Sequence, residues 1–347
     1  MRTIELLHRW GGGLLGLILA VLGLTGAILV YKETWIALPH VDDARVVDPA
    51  ALGQLTARLL KDASGGESLI YANDRFGLVQ FRSGNGGFYA AQSGEIVERW
   101  SSQWERPELW LFDLHHYLLA GETGKFLAGI AGLAAIVFVV TGVILWWRTR
   151  RTFRLRLWPK RLSQPAVRMH HRDLGIVTAP ILFLAALTGV MLIFRPVAHV
   201  VLAPMGSTAT LDEELQSPVF KSAPLASHPD WPAIVERAHR TFPDAAIRIV
   251  ALPRKAGEPI TVRMKRGEEW LPNGRTMVWF DAGSGLILGS RDAGALSPVT
   301  QAFNAIYPLH AAKVGGFAYR FLLCIAGIAM AMLGSLAVWS FWMPRRS

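Results

Sequence analysis

The sequence predicts an α-helical membrane protein with four spanning helices in two parallel repeats, each repeat carrying a small outward-facing α+β domain. Three observations predict it. Four long runs are free of charge, the chain duplicates itself while keeping a histidine at each repeated position, and strongly basic segments alternate with mixed-charge ones between the runs.

The chain has 347 residues, 52% of them hydrophobic. Four runs, roughly Gly11–Tyr31, Phe126–Trp147, Leu174–Phe194 and Phe321–Trp342, are long enough to cross a bilayer as helices of about 20 residues. Their interiors contain no Asp, Glu, Lys or Arg, whereas a soluble surface helix keeps a polar face. The first run is too long for the apolar region of a secretory signal, and no small-x-small cleavage site follows it, so it is expected to be retained.

Orientation follows from the basic loops. Arg148–Asp173 carries nine Lys/Arg and one acid, the tail ends Arg345-Arg346, and the head has Arg2 and Arg9. Lys32–Lys125 has nine basic and thirteen acidic residues, and Arg195–Arg320 fourteen and eleven. Both termini and the basic link are therefore expected in the cytoplasm, with the two long segments outside. The net charge of +10 is largely this topology signal, and no nucleic-acid partner is expected. The single cysteine, Cys324, excludes an intrachain disulfide, and without C-x-x-C-H any haem would lack thioether links.

The duplication is the next signal. His8 begins HRWGGGLLGLILAVLGLTG and His171 begins HRDLGIVTAPILFLAALTG, with Thr25 and Thr188 each 17 residues after the histidine. A second unit runs from Leu114-His115 to Gly132 and again from Leu309-His310 to Gly327, with Lys125 and Arg320 ten residues after the histidine. Four histidines thus flank four apolar spans. Neutral imidazole is a common ligand of haem iron, so two symmetry-related pairs, His8 with His171 and His115 with His310, are the candidate axial ligands of two haems. Arg9 and Arg172 follow the first pair and are candidates to meet haem propionates. Lys125 and Arg320 are candidates for the same role or for snorkelling to headgroups. His116 and His170 are second choices, because Ala311 and Leu7 stand at their repeat positions. His199, just beyond the third span, is a further second choice. Glycines crowd the first two spans and suit close helix packing; Thr25 and Thr188 receive no chemistry.

A straight helix through His115 and the second span would place that histidine roughly 16 Å above the start of the span. Breaks are therefore expected at Gly121-Glu122-Thr123-Gly124 and at Val314-Gly315-Gly316.

Each outward segment reads as a helix followed by strands. The first has a helix near Pro49–Leu60 and strands at Leu69–Tyr71, Leu78–Phe81 and Gly87–Ala90. The second has a helix near Trp231–Thr241 and strands near Ile247–Leu252, Ile260–Met264 and Met277–Asp281. A Ser-Gly turn recurs in Gln92-Ser93-Gly94-Glu95 and Gly283-Ser284-Gly285-Leu286. The chain thus divides into a first span (1–31), an outward domain (32–113), a His segment with span two (114–147), a basic link (148–173), span three (174–195), a second outward domain (196–308), and a His segment with span four and basic tail (309–347).

The order strand, Ser-Gly turn, strand, then Leu-His before a glycine-bearing span ending Trp146-Trp147, resembles the PepSY-associated transmembrane-helix family over nearly the whole chain. The resemblance implies two periplasmic PepSY-like α+β domains in a multi-pass protein of the bacterial inner membrane, embedded in the lipid bilayer. It also implies a haem-containing oxidoreductase, with about two haem b per chain, that reduces a ferric siderophore or other Fe(III) chelate at the periplasmic face. The electron donor, cytoplasmic or a quinol, is separate. The glycines of span one are no dinucleotide fingerprint because no strand precedes them, and the link is too short for a flavin domain. The alternative is a haem-free PepSY membrane protein that binds peptides or regulates a periplasmic peptidase. A coupled transporter would need buried carboxylates in its spans, and G-x-S-x-G and H-E-x-x-H are both absent from the sequence.

Overall fold

In hydrocarbon a backbone must satisfy its own hydrogen bonds, which an apolar run does by coiling into a helix. The computed structural model describes residues 2–38, 40–63 and 65–342, so the basic tail at Arg345-Arg346 lies outside the described residues. In chain order the helices are α1 (Arg2–Val30), α2 (Lys32–Ala37), α3 (Pro49–Leu59), α4 (Pro107–Tyr117), α5 (Gly121–Thr149), α6 (Gln164–Ile193), α7 (Arg195–Leu202), α8 (Thr208–Leu215), α9 (Trp231–Thr241), α10 (Pro298–His310) and α11 (Gly316–Trp342). Four of them, α1, α5, α6 and α11, are long and apolar enough to cross a membrane. The protein is a multi-pass membrane protein. The chain forms two compact units. A helical unit takes the chain through Tyr31, Glu108–Val201 and the chain from Ile306; a sheet unit takes Lys32–Pro107 and Leu202–Ala305.

In the helical unit, lipid-like side chains give no hydrophobic drive for helices to associate, so small residues set how closely they pack. A Cβ on Gly16 would stand 2.7 Å from the Gly334 carbonyl oxygen, and one on Gly23 would stand 2.6 Å from that of Gly327. Helices α1 and α11 therefore touch backbone to backbone. Between α5 and α6 the fit is side chain into glycine: Gly129 faces Phe194 and Ile193, and Gly132 faces Val190. Leu19, Leu22, Ala128, Ala131 and Ala135 form one buried cluster, Leu174, Leu182, Ala326, Ala329 and Leu333 another, and Met330 packs against both.

The breaks before spans two and four are present. Helix α4 stops at Tyr117, and Leu118 (φ 48°) and Leu119 (φ 59°) take left-handed backbone before Gly121 (φ 57°) opens α5. After α10, Ala312 (φ 51°), Gly315 (φ 74°) and Gly316 (φ 61°) do the same. The first break falls ahead of Gly121, because Glu122 sits in the first turn of α5, where a carboxylate is favoured by the helix dipole. Leucine and alanine in left-handed backbone are sterically costly; both breaks hold them next to a histidine-bearing helix.

The sheet unit contains β1 (Ser68–Ile70), β2 (Val79–Ser83), β3 (Gly86–Ala90), β4 (Ile96–Trp100), β5 (Ala246–Ala251), β6 (Ile260–Lys265), β7 (Thr276–Phe280) and β8 (Ile287–Arg291). All pairings are antiparallel, in the order β4-β3-β2-β1-β5-β6-β7-β8. The strands fall where the alternation places them, but the two outward segments do not make separate domains. They share one eight-stranded sheet, joined where Leu69 of β1 faces Val250 of β5. The reason is an edge: β1 has only three residues, and alone it would leave a row of backbone groups unpaired. One face of the sheet buries Leu69, Val79, Val250, Ile260, Val262, Val278 and Phe280 against Leu52 and Leu55 of α3 and Trp231, Ile234 and Val235 of α9. Both helices start on an aspartate cap: Asp48 accepts from the Ala51 N–H at 2.8 Å and Asp230 from the Ala233 N–H at 3.1 Å. The recurring Ser-Gly turns are held structurally, since Arg58 of α3 donates to the Ser93 carbonyl and Arg237 of α9 to the Gly285 carbonyl at 2.6 Å.

Overpacking the α1–α11 contact tests this packing. Gly23→Leu is expected to cost about 1–3 kcal/mol or more and lower the melting temperature in detergent by several degrees. Gly12→Ala, whose Cβ meets Ala337 at an ordinary 3.7 Å, leaves it unchanged.

Candidate functional site

A neutral imidazole in an apolar bundle carries one N–H that must find an acceptor. At His115, on α4, the acceptor comes from α1. The Thr25 hydroxyl donates to the Val21 carbonyl at 2.7 Å, which leaves its oxygen to accept from His115 Nδ1–H at 3.0 Å. The ring is also hydrogen-bonded to the Leu22 carbonyl. His310, on α10, repeats this with α6. Thr188 donates to Leu184 at 2.7 Å, and His310 Nδ1 lies 3.2 Å from the Thr188 hydroxyl and 3.0 Å from the Ala185 carbonyl. A hydrogen on Nδ1 leaves the lone pair on Nε2. The two rings are tilted by 44° with centroids 6.1 Å apart.

Glycine follows each threonine. A Cβ on Gly26 would stand 3.1 Å from His115 Cε1, and one on Gly189 2.8 Å from His310 Cε1, so any side chain there would crowd the ring. Burial, with the neighbouring imidazoles of His310 and His116, pushes His115 down to about 3. Burial also lowers His310. Both rings are therefore neutral at pH 7, the form that can bind a metal ion.

The second pair lies along the same two spans. His8 of α1 and His171 of α6 have ring centroids 6.1 Å apart and perpendicular planes. His8 Nδ1 is 2.8 Å from the Thr141 hydroxyl of α5, which itself donates to Val137 at 2.7 Å. A Cβ on Gly142 would stand 3.5 Å from His8 Cε1, and Phe138 meets the ring edge-on at 5.6 Å. His171 is hydrogen-bonded to the Leu333 carbonyl of α11. His8 and Thr25 are 17 residues apart on α1, so the two pairs are about 25 Å apart along the helix axis.

These distances suit a metal centre between the rings. With metal–imidazole bonds of about 2 Å, a metal held between two imidazoles would set their centroids about 6 Å apart. Among the described residues no three or more of His, Cys, Asp or Glu gather as a metal-ion cluster; the imidazoles come in pairs, a donor set that fits a metal whose other ligands come from a bound macrocycle.

The other candidates sit elsewhere. His116 stacks on Phe112 at 5.4 Å and packs against Tyr117. His170 is fully buried, and its Nε2–H donates to the Leu157 carbonyl at 3.2 Å. His199 lies on α7, past the end of α6. Arg9 lies over the Phe341 ring at 5.9 Å. Arg172 donates to Asp173 at 2.7 Å and to the hydroxyl and carbonyl of Thr152 at 2.7 and 2.9 Å, which commits its guanidinium to the protein. Lys125 pairs with Glu122 at 3.1 Å. Arg320 lies over Tyr31 at 5.7 Å, and its buried Nε has no hydrogen-bond acceptor among the described residues. That orphaned donor, on α11, fits an acidic group of a ligand.

Sequence reasoning passed over Thr25, Thr141 and Thr188, which orient three of the four rings, and Asp173. The duplicated Leu-Thr-Gly was the available signal for two of these, but a threonine's partner lies on another helix.

No curated protein matches the chain significantly. The model of the PepSY-associated TM region matches residues 6–345, and the protein belongs to that family.

Proposed function

We propose that this protein is a transmembrane electron carrier holding two haem b groups, one between His8 and His171 and one between His115 and His310, and that it reduces Fe(III) chelates such as ferric siderophores. The observation that carries the reading is the pair geometry: two imidazole pairs with ring centroids 6.1 Å apart, one of them beside Thr25 and Thr188 and the other at His8 and His171, in rings oriented by hydrogen bonds from neighbouring helices. Metal-bound histidine characteristically donates its second N–H to such an acceptor.

The lysine and arginine asymmetry supports a cytoplasmic basic link and cytoplasmic termini, and the family supports a bacterial inner membrane with the sheet unit in the periplasm. The His8–His171 pair then lies on the cytoplasmic side and would hold the group that a separate donor, a quinol or a cytoplasmic reductase, reduces. The His115–His310 pair lies on the periplasmic side, where the acceptor is met. Haem bound by two imidazoles supplies one-electron Fe(III)/Fe(II) exchange and leaves no open iron position for oxygen chemistry. The protein's own part is to hold Nε2 of each ring inward, to keep water out with Leu19, Leu22, Leu182 and Leu333, and to leave room beside the rings at Gly26, Gly142 and Gly189. One electron passed to the Fe(III) chelate gives Fe(II), which hard oxygen donors hold far more weakly, so the metal is released.

The purified protein is expected to be red, with a reduced-minus-oxidised α-band and about two haems per chain. His8→Ala and His171→Ala deplete one and the same haem, His115→Ala and His310→Ala the other, and His116→Ala and His170→Ala spare both. A folded, colourless preparation would favour the haem-free, peptide-binding reading. Thr25→Val or Thr188→Val is expected to weaken haem retention by about 10–100-fold, read by haem loss to apomyoglobin. Stopped-flow mixing of dithionite-reduced protein with ferric chelates should show reoxidation with release of Fe(II) to ferrozine; no reoxidation by any chelate would reject the substrate assignment while leaving electron carriage intact.

A further inference from the structure

The link between α5 and α6 is basic and apolar at once. Leu155, Leu157, Trp158 and Leu162 are 63, 58, 71 and 63% exposed, and they are interleaved with Arg151, Arg154, Lys160 and Arg161. A polar connection has no use for four large apolar side chains at such exposure, and a patch of this kind marks an interaction surface.

The segment is fixed in this arrangement. The Asp173 carboxylate is fully buried. It receives the Arg156 guanidinium, the Arg172 Nε–H at 2.7 Å and the Arg154 backbone N–H at 3.4 Å. His170 holds the Leu157 carbonyl, and Arg172 holds Thr152. Four anchor points within six residues keep the backbone against α6, so the apolar side chains of Leu155 and Trp158 stay outside. Asp173 is the one acid among nine basic residues from Arg148 to Asp173, and it pairs with only two of them.

We infer that this link is a binding site for anionic phospholipid. Leu155, Leu157, Trp158 and Leu162 enter the interfacial layer, while Arg151, Arg154, Lys160 and Arg161 hold the lipid phosphates. The bilayer is the occupant because both ends of the link run directly into spanning helices, which fixes it at the membrane surface. An acidic soluble partner would meet the same charge but would not account for four leucine and tryptophan side chains facing outward beside the spans. The inference does not depend on haem.

The test uses the full chain reconstituted in vesicles. Brominated phosphatidylglycerol or brominated phosphatidylcholine is present at equal mole fraction, and the Trp158 share of quenching is taken as wild type minus Trp158→Phe, since the chain has 13 tryptophans. The expected result is quenching about twofold or more stronger with the brominated anionic lipid, a preference lost at about 0.5 M salt, where screening is short-ranged. The preference is lost also in the combined variant Arg151→Gln, Arg154→Gln, Lys160→Gln, Arg161→Gln. Equal quenching by both lipids would overturn the headgroup site. Absence of any Trp158-dependent quenching would overturn membrane contact and point to a protein partner. The salt arm is read on the wild type, so it stands even if the combined variant does not fold.

Discussion

An N–H in hydrocarbon with no acceptor is a heavy penalty, and the arrangement of this bundle follows from avoiding it four times. Each paired imidazole is bonded to a group on a helix other than its own: Thr25, Thr188 and Thr141 hydroxyls for His115, His310 and His8, and the Leu333 carbonyl for His171. The three hydroxyls can accept because each donates its own hydrogen back to the carbonyl four residues earlier. For those three rings the bond that satisfies the N–H also chooses the tautomer and aims the second nitrogen. The same contacts fix the helices to one another, so ring geometry and bundle geometry are one constraint.

The constraint explains the backbone at the two breaks. To bring His115 down to Thr25 and His310 down to Thr188, the chain must reverse between the histidine helix and the following span. The reversal uses left-handed Leu118, Leu119 and Ala312 together with glycines that take the same backbone freely. Strain of this sort persists only where the surrounding structure over-determines it, and here backbone bonds such as Ala120 N–H to the Tyr117 carbonyl at 2.8 Å, and the Tyr319 hydroxyl on the Leu309 carbonyl at 2.7 Å, hold the breaks. In the sheet unit a different incompleteness is resolved: neither sequence half has a satisfied edge at its first strand, and β1 and β5 complete each other.

Much of this was legible in the sequence. Uncharged runs gave the spans, alternation gave strands in both segments, and two duplicated units, His-to-Thr for His8 and His171 and His-to-Gly for His115 and His310, singled out the four histidines that the fold brings together in pairs. Periodicity speaks only of one element at a time, however. It could not show that β1 would pair with β5, which depends on an unsatisfied edge and not on pattern, so two domains were expected where one sheet forms. It could not assign Thr25 or Thr188 a task, because their partners come from helices 90 and 122 residues away. Arg172 looked available for a ligand because it follows His171 as Arg9 follows His8, whereas in the fold its guanidinium is held by the buried Asp173 carboxylate and by Thr152.

The proposal that opposite halves of the chain share each iron centre is tested most directly by low-temperature electron paramagnetic resonance of the oxidised, purified protein. The account predicts only low-spin ferric signals of bis-imidazole haem in the wild type. It further predicts that replacing His8 alone removes one of two signals or converts it to high spin while the other persists. A high-spin, five-coordinate signal in the wild type, or low-spin signals unchanged in both the His8 and the His115 variants, would contradict it.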